Sequence, residues 1–195
     1  TVSNGILENQ DIAFIPQLPN YKKQAIRNLP MGILNKIGVL FKEETFKEND
    51  IGWYVATTDT NDNDKSQIIS FEIRKKEKEH MIFFFGGEKG FDVENFPDKY
   101  YKRIIAFIRN QFGHPTANNI IKIIHTCWGK DPYTKGSYSF ALPGHSSERE
   151  LLKKPLEKKV YFAGEATIKN YYGTCHGAYI SGVNAANEII CDLSN

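Results

Sequence analysis

Two glycine-bearing blocks near the end of the chain constrain its fold more than any other feature. Residues 162–167 read Phe-Ala-Gly-Glu-Ala-Thr, and residues 171–182 read Tyr-Tyr-Gly-Thr-Cys-His-Gly-Ala-Tyr-Ile-Ser-Gly. The apolar residues 160–163 predict a strand, and Gly164 and Gly173 let the backbone pass close to another group. The second block continues with small residues at helical spacing. Together the blocks predict a strand, a sharp loop and a helix.

The predicted helix carries a stripe of almost uniformly small residues. They recur at i, i+3, i+4, i+7, i+8 and i+11, and are Ala178, Ser181, Gly182, Ala185, Ala186 and Ile189. Such a face lets the helix lie close to a sheet or a flat cofactor, and its N-terminal N–H groups favour an anionic, oxygen-rich ligand. A tightly packed strand–helix unit without a ligand is the competing interpretation of the same pattern.

Residue by residue, both blocks resemble the C-terminal FAD-binding sequence of flavin-containing amine oxidases. This family holds polyamine oxidases, monoamine oxidases and lysine-specific histone demethylases, and its pattern is Phe-Ala-Gly-Glu-Ala/His-Thr, a spacer, and Gly-Thr-Val-His-Gly-Ala-Tyr-Leu-Ser-Gly. Within the second part of that pattern only Cys175 and Ile180 differ. The resemblance implies FAD as the cofactor, with Cys175 acting through its backbone N–H. The cofactor contacts that it implies in these blocks are Gly164, Glu165, Gly173, Thr174 and Cys175.

Residues 128–139 resemble the part of the family sequence that lines the flavin. They read Trp-Gly-Lys-Asp-Pro-Tyr-Thr-Lys-Gly-Ser-Tyr-Ser, which predicts a rigid, aromatic-lined turn. On composition alone these are ordinary core and turn residues. The resemblance implies that Trp128 contacts the flavin and that Tyr138 is one wall of the cage that admits the substrate amine. Thr174 stands where several relatives have a second tyrosine, so this cage has one aromatic wall and more room beside the flavin.

Lys36 follows Gly32-Ile-Leu-Asn and precedes a run that we expect to be buried, residues 37–41. A lone lysine beside an apolar strand is ordinarily a surface residue. A buried lysine is costly and is usually kept for a reason. The segment is similar to the family's Gly-x-x-x-Lys, which implies that Lys36 holds a water against the flavin, assists reoxidation by O2 and positions water near the imine.

Composition excludes several classes of protein. A chain of 195 residues with 41% hydrophobic residues has enough apolar material for one good-sized domain, or one domain and a fragment. The net charge of +2 is too balanced for a nucleic-acid interface, and no apolar run is long enough to span a membrane. Three cysteines without framework spacing favour a reducing compartment, so we expect a cytoplasmic protein.

The first residues indicate that the chain begins inside a longer protein. Residues 1–7 open on an apolar, strand-like run without an initiator methionine, and residues 12–22 resemble a passage that lies mid-chain in the family. Family members begin with a Rossmann unit carrying Gly-x-Gly-x-x-Gly. The glycine cluster at residues 86–90 has the wrong spacing and no helix pattern after it. The resemblance therefore covers nearly the whole chain, but only the C-terminal portion of the family's proteins.

The remaining patterns predict an α+β fold: a mainly antiparallel sheet flanked by helices, plus the last strand and helix of a Rossmann-like FAD-binding domain. Further predicted strands cover residues 33–41, 51–57, 67–74, 80–85 and 120–124. Further predicted helices cover residues 19–29 and 97–112. Residues 146–159 are charged and loop-like, so we place the domain boundary there. A substrate-binding domain then occupies residues 1–150, and the C-terminal FAD-binding segment occupies residues 151–195.

Two metal-site patterns are weak. The pairs His125/Cys127 and Cys175/His176 lack zinc-finger spacing, and the second pair falls where the family binds flavin. Residues 59–64 imitate the start of an EF-hand loop but lack its glycine and its last glutamate. We therefore expect no metal.

The resemblance implies oxidation of a small-molecule amine by hydride transfer to flavin, with O2 reoxidation to hydrogen peroxide. Two alternatives stay open. The chain is a non-catalytic split or decayed fragment that needs a partner carrying the Rossmann half, or it belongs to a flavin oxidoreductase with a non-amine substrate. The motif at residues 136–139 and Lys36 favour amines of the polyamine-oxidase type, and we expect the chain by itself to be inactive.

Overall fold

The computed structural model describes residues 1–58, 67–75 and 77–194, and it divides the chain into two compact units. Unit 1 combines Thr1–Ile33 with Trp128–Asn195, and unit 2 is Leu34–Cys127. The domain boundary predicted near residue 150 falls inside unit 1, whereas the two compact units meet along the sequence at residues 33/34 and 127/128. The assignment of residues 1–150 to substrate binding and 151–195 to FAD binding stays a prediction.

The helices and strands of the described residues follow each other in mixed order. The helices are α1 (Asn4–Glu8), α2 (Asn20–Asn28), α3 (Gly87–Asn95), α4 (Pro97–Asn118), α5 (Glu148–Lys153) and α6 (Cys175–Leu193). The strands are β1 (Met31–Gly32), β2 (Leu34–Phe41), β3 (Gly52–Thr58), β4 (Gln67–Lys75), β5 (Glu79–Gly86), β6 (Ile120–His125) and β7 (Tyr138–Ser139). Short 3₁₀ turns cover Glu48–Asp50 and Glu165–Thr167.

Unit 2 is an antiparallel sheet with helices on one face. Its strand order is β3-β4-β5-β2-β6, and every neighbouring pair is antiparallel. Alternate residues point to opposite faces of a strand, so Met81, Phe83 and Phe85 of β5 face the core. Phe83 packs against Phe71 of β4 and Phe107 of α4 with ring centroids 5.3 and 5.9 Å apart. The predicted α+β class and antiparallel sheet are confirmed.

Unit 1 has a smaller apolar core that contains a buried cation. Its core residues are Leu18, Ala25, Ile26, Leu29, Leu152, Phe162 and Ala166. Lys22 of α2 is fully buried, and its Nζ donates to the carbonyls of Leu151 and Leu152, at 3.1 and 2.8 Å, and to that of Lys154. The ammonium also lies 4.0 Å from the centroid of the Phe162 ring. Burial lowers the pKa of Lys22 from its ordinary 10.5 to about 8.

Three predictions of local structure are wrong in unit 1. Residues 1–7 do not form a strand, since α1 starts at Asn4 with Ser3 as its N-cap. Residues 146–159 are not a simple loop, because α5 has acidic residues in its first turn and Lys153 in its last, which suits the helix dipole. Residues 160–163 form no strand, and only Val160 makes a single bridge, to Leu156.

In unit 2 the glycine cluster at residues 86–90 was expected to have no helix after it, yet α3 begins at Gly87. The next helix is predicted to end at residue 112, whereas α4 extends to Asn118 with a break in its helical geometry just after residue 112. In α4 the backbone leaves helical geometry at Gly113, whose φ is 87°, and Pro115 follows. The EF-hand-like residues 59–64 lie outside the described residues.

Candidate functional site

Tyr138 is placed by a short two-stranded sheet in unit 1. Strand β7 pairs with β1 in antiparallel register, with Gly32 opposite Tyr138 and Met31 opposite Ser139. Tyr138 is about one-third exposed, whereas Ser139 is fully buried. Adjacent residues of a strand point to opposite sides, so the Tyr138 ring faces outward while the Ser139 hydroxyl faces the interior.

Trp128 begins the turn that leads to β7. The Asp131 carboxylate accepts the N–H groups of Tyr133 and Thr134 at 2.8 and 3.0 Å, and Gly136 N–H donates to the Trp128 carbonyl at 2.8 Å. A Cβ on Gly136 would lie 2.4 Å from Met31 Cβ, so a larger residue does not fit there. These contacts form a fixed turn of the kind that the sequence predicts.

Glu165 accepts hydrogen bonds from two other segments. Its Oε1 accepts Ser139 N–H at 2.7 Å, and its Oε2 accepts the Ser139 hydroxyl at 2.9 Å and Gly173 N–H at 2.7 Å. A carboxylate has about four acceptor positions, so three are filled from within the chain. At most one acceptor position of Glu165 therefore remains for a ligand.

Gly164 borders open space. Its φ is 137°, a conformation that L side chains rarely adopt, and no atom lies within 4 Å of the place where a Cβ would sit. Its N–H donates to Ser181 Oγ on α6 at 2.8 Å. The turn is thus tied to the helix behind it while its front stays open, which fits a ligand that approaches the backbone closely.

The N-terminus of α6 is formed by Thr174 and Gly177. Thr174 is the N-cap, and its hydroxyl accepts Gly177 N–H at 3.1 Å and donates to the Tyr171 carbonyl at 2.6 Å. A Cβ on Gly177 would lie 2.0 Å from that carbonyl oxygen. Cys175, the first residue of the helix, is an exposed free thiol. The first N–H groups of a helix have no intrahelical partner, so this end of a 19-residue helix suits an acceptor oxygen.

Gly173 and Tyr138 lie side by side. A Cβ on Gly173 would be 3.8 Å from Tyr138 Cδ2, within van der Waals distance. The small residue therefore leaves the face of the tyrosine ring uncovered at this point, next to Thr174. Thr174, which the sequence predicts to face Tyr138 in a cage with one aromatic wall, directly follows Gly173.

Arg149 is a buried residue that the sequence did not single out. It is 1% exposed, and its Nη1 donates to Ser139 Oγ at 2.7 Å and to the Ala166 carbonyl at 3.0 Å. Its Cζ lies 4.2 Å from the centroid of the Tyr172 ring. Burial lowers the pKa of Arg149, and the charges of Glu165 and Tyr172 partly offset that effect.

A cleft of about 710 Å³ in unit 1 brings several predicted residues together. Trp128, Gly164 and Glu165 are part of its mostly apolar lining. Tyr138, Gly173 and the start of α6 are not in that lining, but Gly173 N–H and the N–H of Ser139, the neighbour of Tyr138, both donate to Glu165. A second cleft, of about 260 Å³ beside α1 and α2, is lined by none of the predicted site residues.

Lys36 belongs to unit 2 and is exposed, so the expectation of a buried lysine is wrong. Within β2, Asn35 and Ile37 are fully buried on the core face, and strand alternation puts Lys36 on the other face. There its Nζ lies 5.6 Å from the Phe84 ring centroid. Its backbone is held by Thr126, which accepts Lys36 N–H at 2.9 Å and donates its own N–H to the Lys36 carbonyl at 3.0 Å.

Sequence analysis did not single out Ser139 or Arg149, and the two differ in how well the sequence could have pointed to them. Ser139 is the last residue of the Gly-Ser-Tyr-Ser motif, directly after Tyr138, so the motif itself could have identified it as a site residue. Arg149 stands in a segment rich in charged residues, where nothing distinguishes a buried arginine from an exposed one.

In the described part of the chain, no three His, Cys, Asp or Glu side chains are grouped as a metal site would require. None of the helices within residues 1–58, 67–75 and 77–194 has the length and apolar character that a membrane span needs.

The family model for "Flavin containing amine oxidoreductase" matches residues 1–190. Among relatives, the "Histone demethylase-like protein A" of Aspergillus fumigatus is 31% identical over 209 residues, covering 97% of this chain and 19% of the relative. The "Probable polyamine oxidase 5" of Arabidopsis thaliana is 27% identical over 247 residues, covering 97% of this chain and 44% of the relative. The chain thus spans less than half the length of either relative.

Two solved structures share the fold. A cyclohexylamine oxidase from Brevibacterium oxydans has a TM-score of 0.73 at 21% identity, covering 100% of this chain and 42% of its own. A putrescine oxidase redesigned in cofactor binding has a TM-score of 0.77 at 18% identity, covering 98% of this chain and 42% of its own. At these identities the likeness concerns the fold alone.

Proposed function

Since the chain belongs to the flavin containing amine oxidoreductase family, we propose that it forms the C-terminal, flavin-contacting part of an FAD-dependent amine oxidase. The observation that carries the proposal is the Glu165 carboxylate. It joins β7, the Gly164 turn and the loop before α6, which are the three segments that the sequence predicts to face the flavin. A shared anchor gives these segments a fixed mutual geometry, which a rigid ring cofactor requires.

The residues present fit a flavin in three respects. Gly164 offers open space at a backbone that a flat group can approach, and Trp128 supplies an aromatic wall in the same cleft. The N-terminus of α6 near Thr174 and Cys175 supplies backbone donors for an acceptor oxygen. A flavin held by these residues would supply the redox chemistry of the reaction, as the acceptor of a hydride from the amine's α-carbon and the donor of two electrons to O2, with hydrogen peroxide as the product.

The chain's own residues orient the substrate and water. Tyr138 presents an exposed ring beside Gly173, so it is positioned to hold the amine, in its neutral reactive form, by one aromatic face. Lys36 is exposed, which leaves its Nζ accessible to the water that the proposal assigns to it. That water serves hydrolysis of the imine to an aldehyde and an amine. Amines of the polyamine-oxidase type are the proposed substrates, and the cytoplasm is the proposed location.

The proposal includes a Rossmann half that is not part of residues 1–195. The sequence holds no Gly-x-Gly-x-x-Gly turn for the FAD pyrophosphate. FAD titrated into this chain alone is therefore expected to show no saturable binding in the low micromolar range. Submicromolar affinity would contradict this division of the cofactor site.

Amine oxidation is tested in the flavin-loaded protein, formed either by one longer chain or by this chain together with a partner that carries the Rossmann half. Mono-, di- and polyamines are supplied, and hydrogen peroxide and bleaching of the flavin absorbance are followed. Lys36→Met is expected to retain flavin but to slow reoxidation by O2, while Lys42→Met, a change of an exposed lysine just after β2, leaves both half-reactions unchanged. A protein that binds no flavin together with its Rossmann half would instead support the non-catalytic alternative.

A further inference from the structure

Arg149 contacts three segments of the candidate site. It reaches Ser139 in β7, the Ala166 carbonyl in the turn that Glu165 begins, and the ring of Tyr172 in the loop before α6. These are the same three segments that Glu165 joins. One buried cation and one half-buried carboxylate therefore hold the same parts of unit 1 from two sides.

The Ser139 hydroxyl connects Arg149 and Glu165 by two hydrogen bonds. Arg149 Nη1 donates to Ser139 Oγ at 2.7 Å, and Ser139 Oγ donates to Glu165 Oε2 at 2.9 Å. With the guanidinium on one side and the carboxylate on the other, the hydroxyl hydrogen has a single favourable direction, towards Glu165. The same Glu165 Oε2 accepts Gly173 N–H at 2.7 Å. A chain of hydrogen bonds thus runs from Arg149 to the residue that lies against the Tyr138 ring.

Stability alone is a poor reason for a guanidinium at this place. Arg149 Nε and Nη2 are buried and have no hydrogen-bond partner among the described residues. Unpaired buried donors destabilise the folded state, and a buried ion pair is often no better than an apolar replacement. The geometry that Arg149 imposes on its neighbours gives a better reason for its presence.

We propose that Arg149 is a positioning residue, which fixes the loop at Gly173 and the Tyr138 wall by holding the Ser139 hydroxyl against Glu165. The proposal rests on the proposed function for the meaning of the loop, but the contacts themselves exist in this chain without a cofactor. The hydrogen bonds can therefore be tested separately from amine oxidation.

The first test measures residue-resolved amide hydrogen exchange by NMR in residues 1–195. The variants are Arg149→Met, which removes the cation, Arg149→Lys, which keeps the charge but not the planar fork, and Ser139→Ala, which cuts the connection with Arg149 intact. Arg27→Met, at an exposed arginine of α2 in the same unit, is the matched control. We expect exchange at Gly173 N–H to become about tenfold faster in the three variants, corresponding to the loss of a typical hydrogen bond.

Two results would overturn the proposal. Exchange at Gly173 that stays at the wild-type rate in Ser139→Ala would mean that Arg149 does not act through the hydroxyl. Exchange that rises equally across all amides of unit 1 would mean that Arg149 only stabilises the fold. If Arg149→Met does not fold, Arg149→Lys and Ser139→Ala still decide between these results.

The second test uses the flavin-loaded protein and a substrate amine. Arg149→Lys is expected to slow flavin reduction about tenfold per bound flavin, since small misplacements in an active site have effects of this size or larger. A purely structural role would instead lower the amount of flavin-loaded protein and leave the rate per flavin unchanged, which would refute the proposal. If the wild-type protein oxidises no amine, the proposed function fails, whereas the exchange experiment still tests Arg149.

Discussion

Glu79 in unit 2 and Lys22 in unit 1 are both buried charges whose hydrogen-bond partners are backbone groups, N–H groups for the carboxylate and carbonyls for the ammonium. Glu79 accepts the N–H groups of Glu44, Thr45 and Phe46 at 3.1, 2.7 and 3.0 Å. Lys22 donates instead to three carbonyls at the end of α5. In both places a single side chain satisfies several backbone groups: N–H groups of the loop at residues 44–46 in unit 2, and carbonyls at the C-terminal end of α5 in unit 1.

The two units differ in how much apolar packing supports these charges. Among the described residues, unit 2 has a continuous core of fourteen buried hydrophobic residues between one sheet and two helices, whereas the core of unit 1 has seven. Among its described residues, unit 1 buries two cations, Lys22 and Arg149, whose hydrogen-bond partners are carbonyls at the end of α5, the Ala166 carbonyl and the Ser139 hydroxyl. Apolar packing therefore determines unit 2, while directed polar contacts determine much of unit 1. Each unit contains one tryptophan, Trp53 in unit 2 and Trp128 in unit 1, so their unfolding can be followed separately.

The largest expected effect is on the core of unit 2. Phe83→Ala removes a fully buried ring that packs against Phe71 and Phe107, and we expect a loss of about 4 kcal/mol in the free energy of unfolding. Denaturant unfolding followed by Trp53 fluorescence in a Trp128→Phe background measures it. Phe91→Ala, at a half-exposed ring of α3, is the control and should lose less than about 1 kcal/mol. Equal losses would contradict the core assignment.

The next effect is a pH dependence in unit 1. The pKa of Lys22 is lowered from 10.5 to about 8 in the folded state, so between these values the unfolded chain binds more protons than the folded one. The free energy of unfolding must therefore rise with pH from about 8 to 10.5, by about 3 kcal/mol in all, and this contribution is lost as the pH falls through 8. Unfolding followed by Trp128 fluorescence in a Trp53→Phe background measures this rise.

Lys22→Met supplies the control for that experiment, because it removes the titrating group while it keeps an unbranched chain in the core. Its unfolding free energy should change less over the same pH interval than that of the parent. A parent protein whose stability falls across this interval would show that Lys22 is not the dominant titrating group of unit 1.

The smallest expected effects come from two glycine substitutions in α6, one of which should destabilise the protein while the other stabilises it. Gly177→Ala would put a Cβ 2.0 Å from the Tyr171 carbonyl oxygen, and we expect a loss of about 2 kcal/mol as the loop before α6 shifts. Gly182→Ala, five residues later on α6, meets no atom within 4 Å and should stabilise by about 0.5–1 kcal/mol through helix propensity. Thermal unfolding measures both. Stabilisation by both substitutions would contradict the close approach of the loop to the helix.

Because apolar packing dominates in unit 2 and polar contacts are prominent in unit 1, local sequence patterns predict the structure of unit 2 better than that of unit 1. In unit 2 the strands predicted at residues 33–41, 51–57, 67–74, 80–85 and 120–124 correspond to β2, β3, β4, β5 and β6, because β-rich apolar runs report directly on apolar packing. Strand alternation accounts for the exposure of the Lys36 side chain, since its neighbours Asn35 and Ile37 face the core. The expectation of burial came from its apolar surroundings and ignored this period.

In unit 1 the patterns fail where pairing or polar contacts decide the structure. Residues 160–163 have strand composition, but a strand also needs a paired neighbour, and apart from the bridge at Val160 the described residues provide none. Helix α5 has only six residues, with two of them buried, Arg149 and Leu152, so apolar period gives little signal. The motif singled out Glu165 and Gly173, which share a hydrogen bond, while the role of Gly164, Glu165 and Gly173 in cofactor binding stays a prediction. Their connection through Ser139 and Arg149 was not predictable, because hydrogen-bond partners far apart in sequence leave no local pattern.

The discontinuity of unit 1 has a consequence for biosynthesis. Lys22 and its acceptor Leu151 are separated by 129 residues, and the whole of unit 2 lies between them. At about 5–20 residues per second, the ribosome delivers the acceptor roughly 6–26 s after the lysine. During that interval the helix that carries Lys22 has no complete core to join, while residues 34–127 can already pack as one continuous segment. A pause or truncation after residue 127 would therefore leave a folded sheet unit attached to an unfolded leading segment, whose unsatisfied apolar face is a target for chaperones.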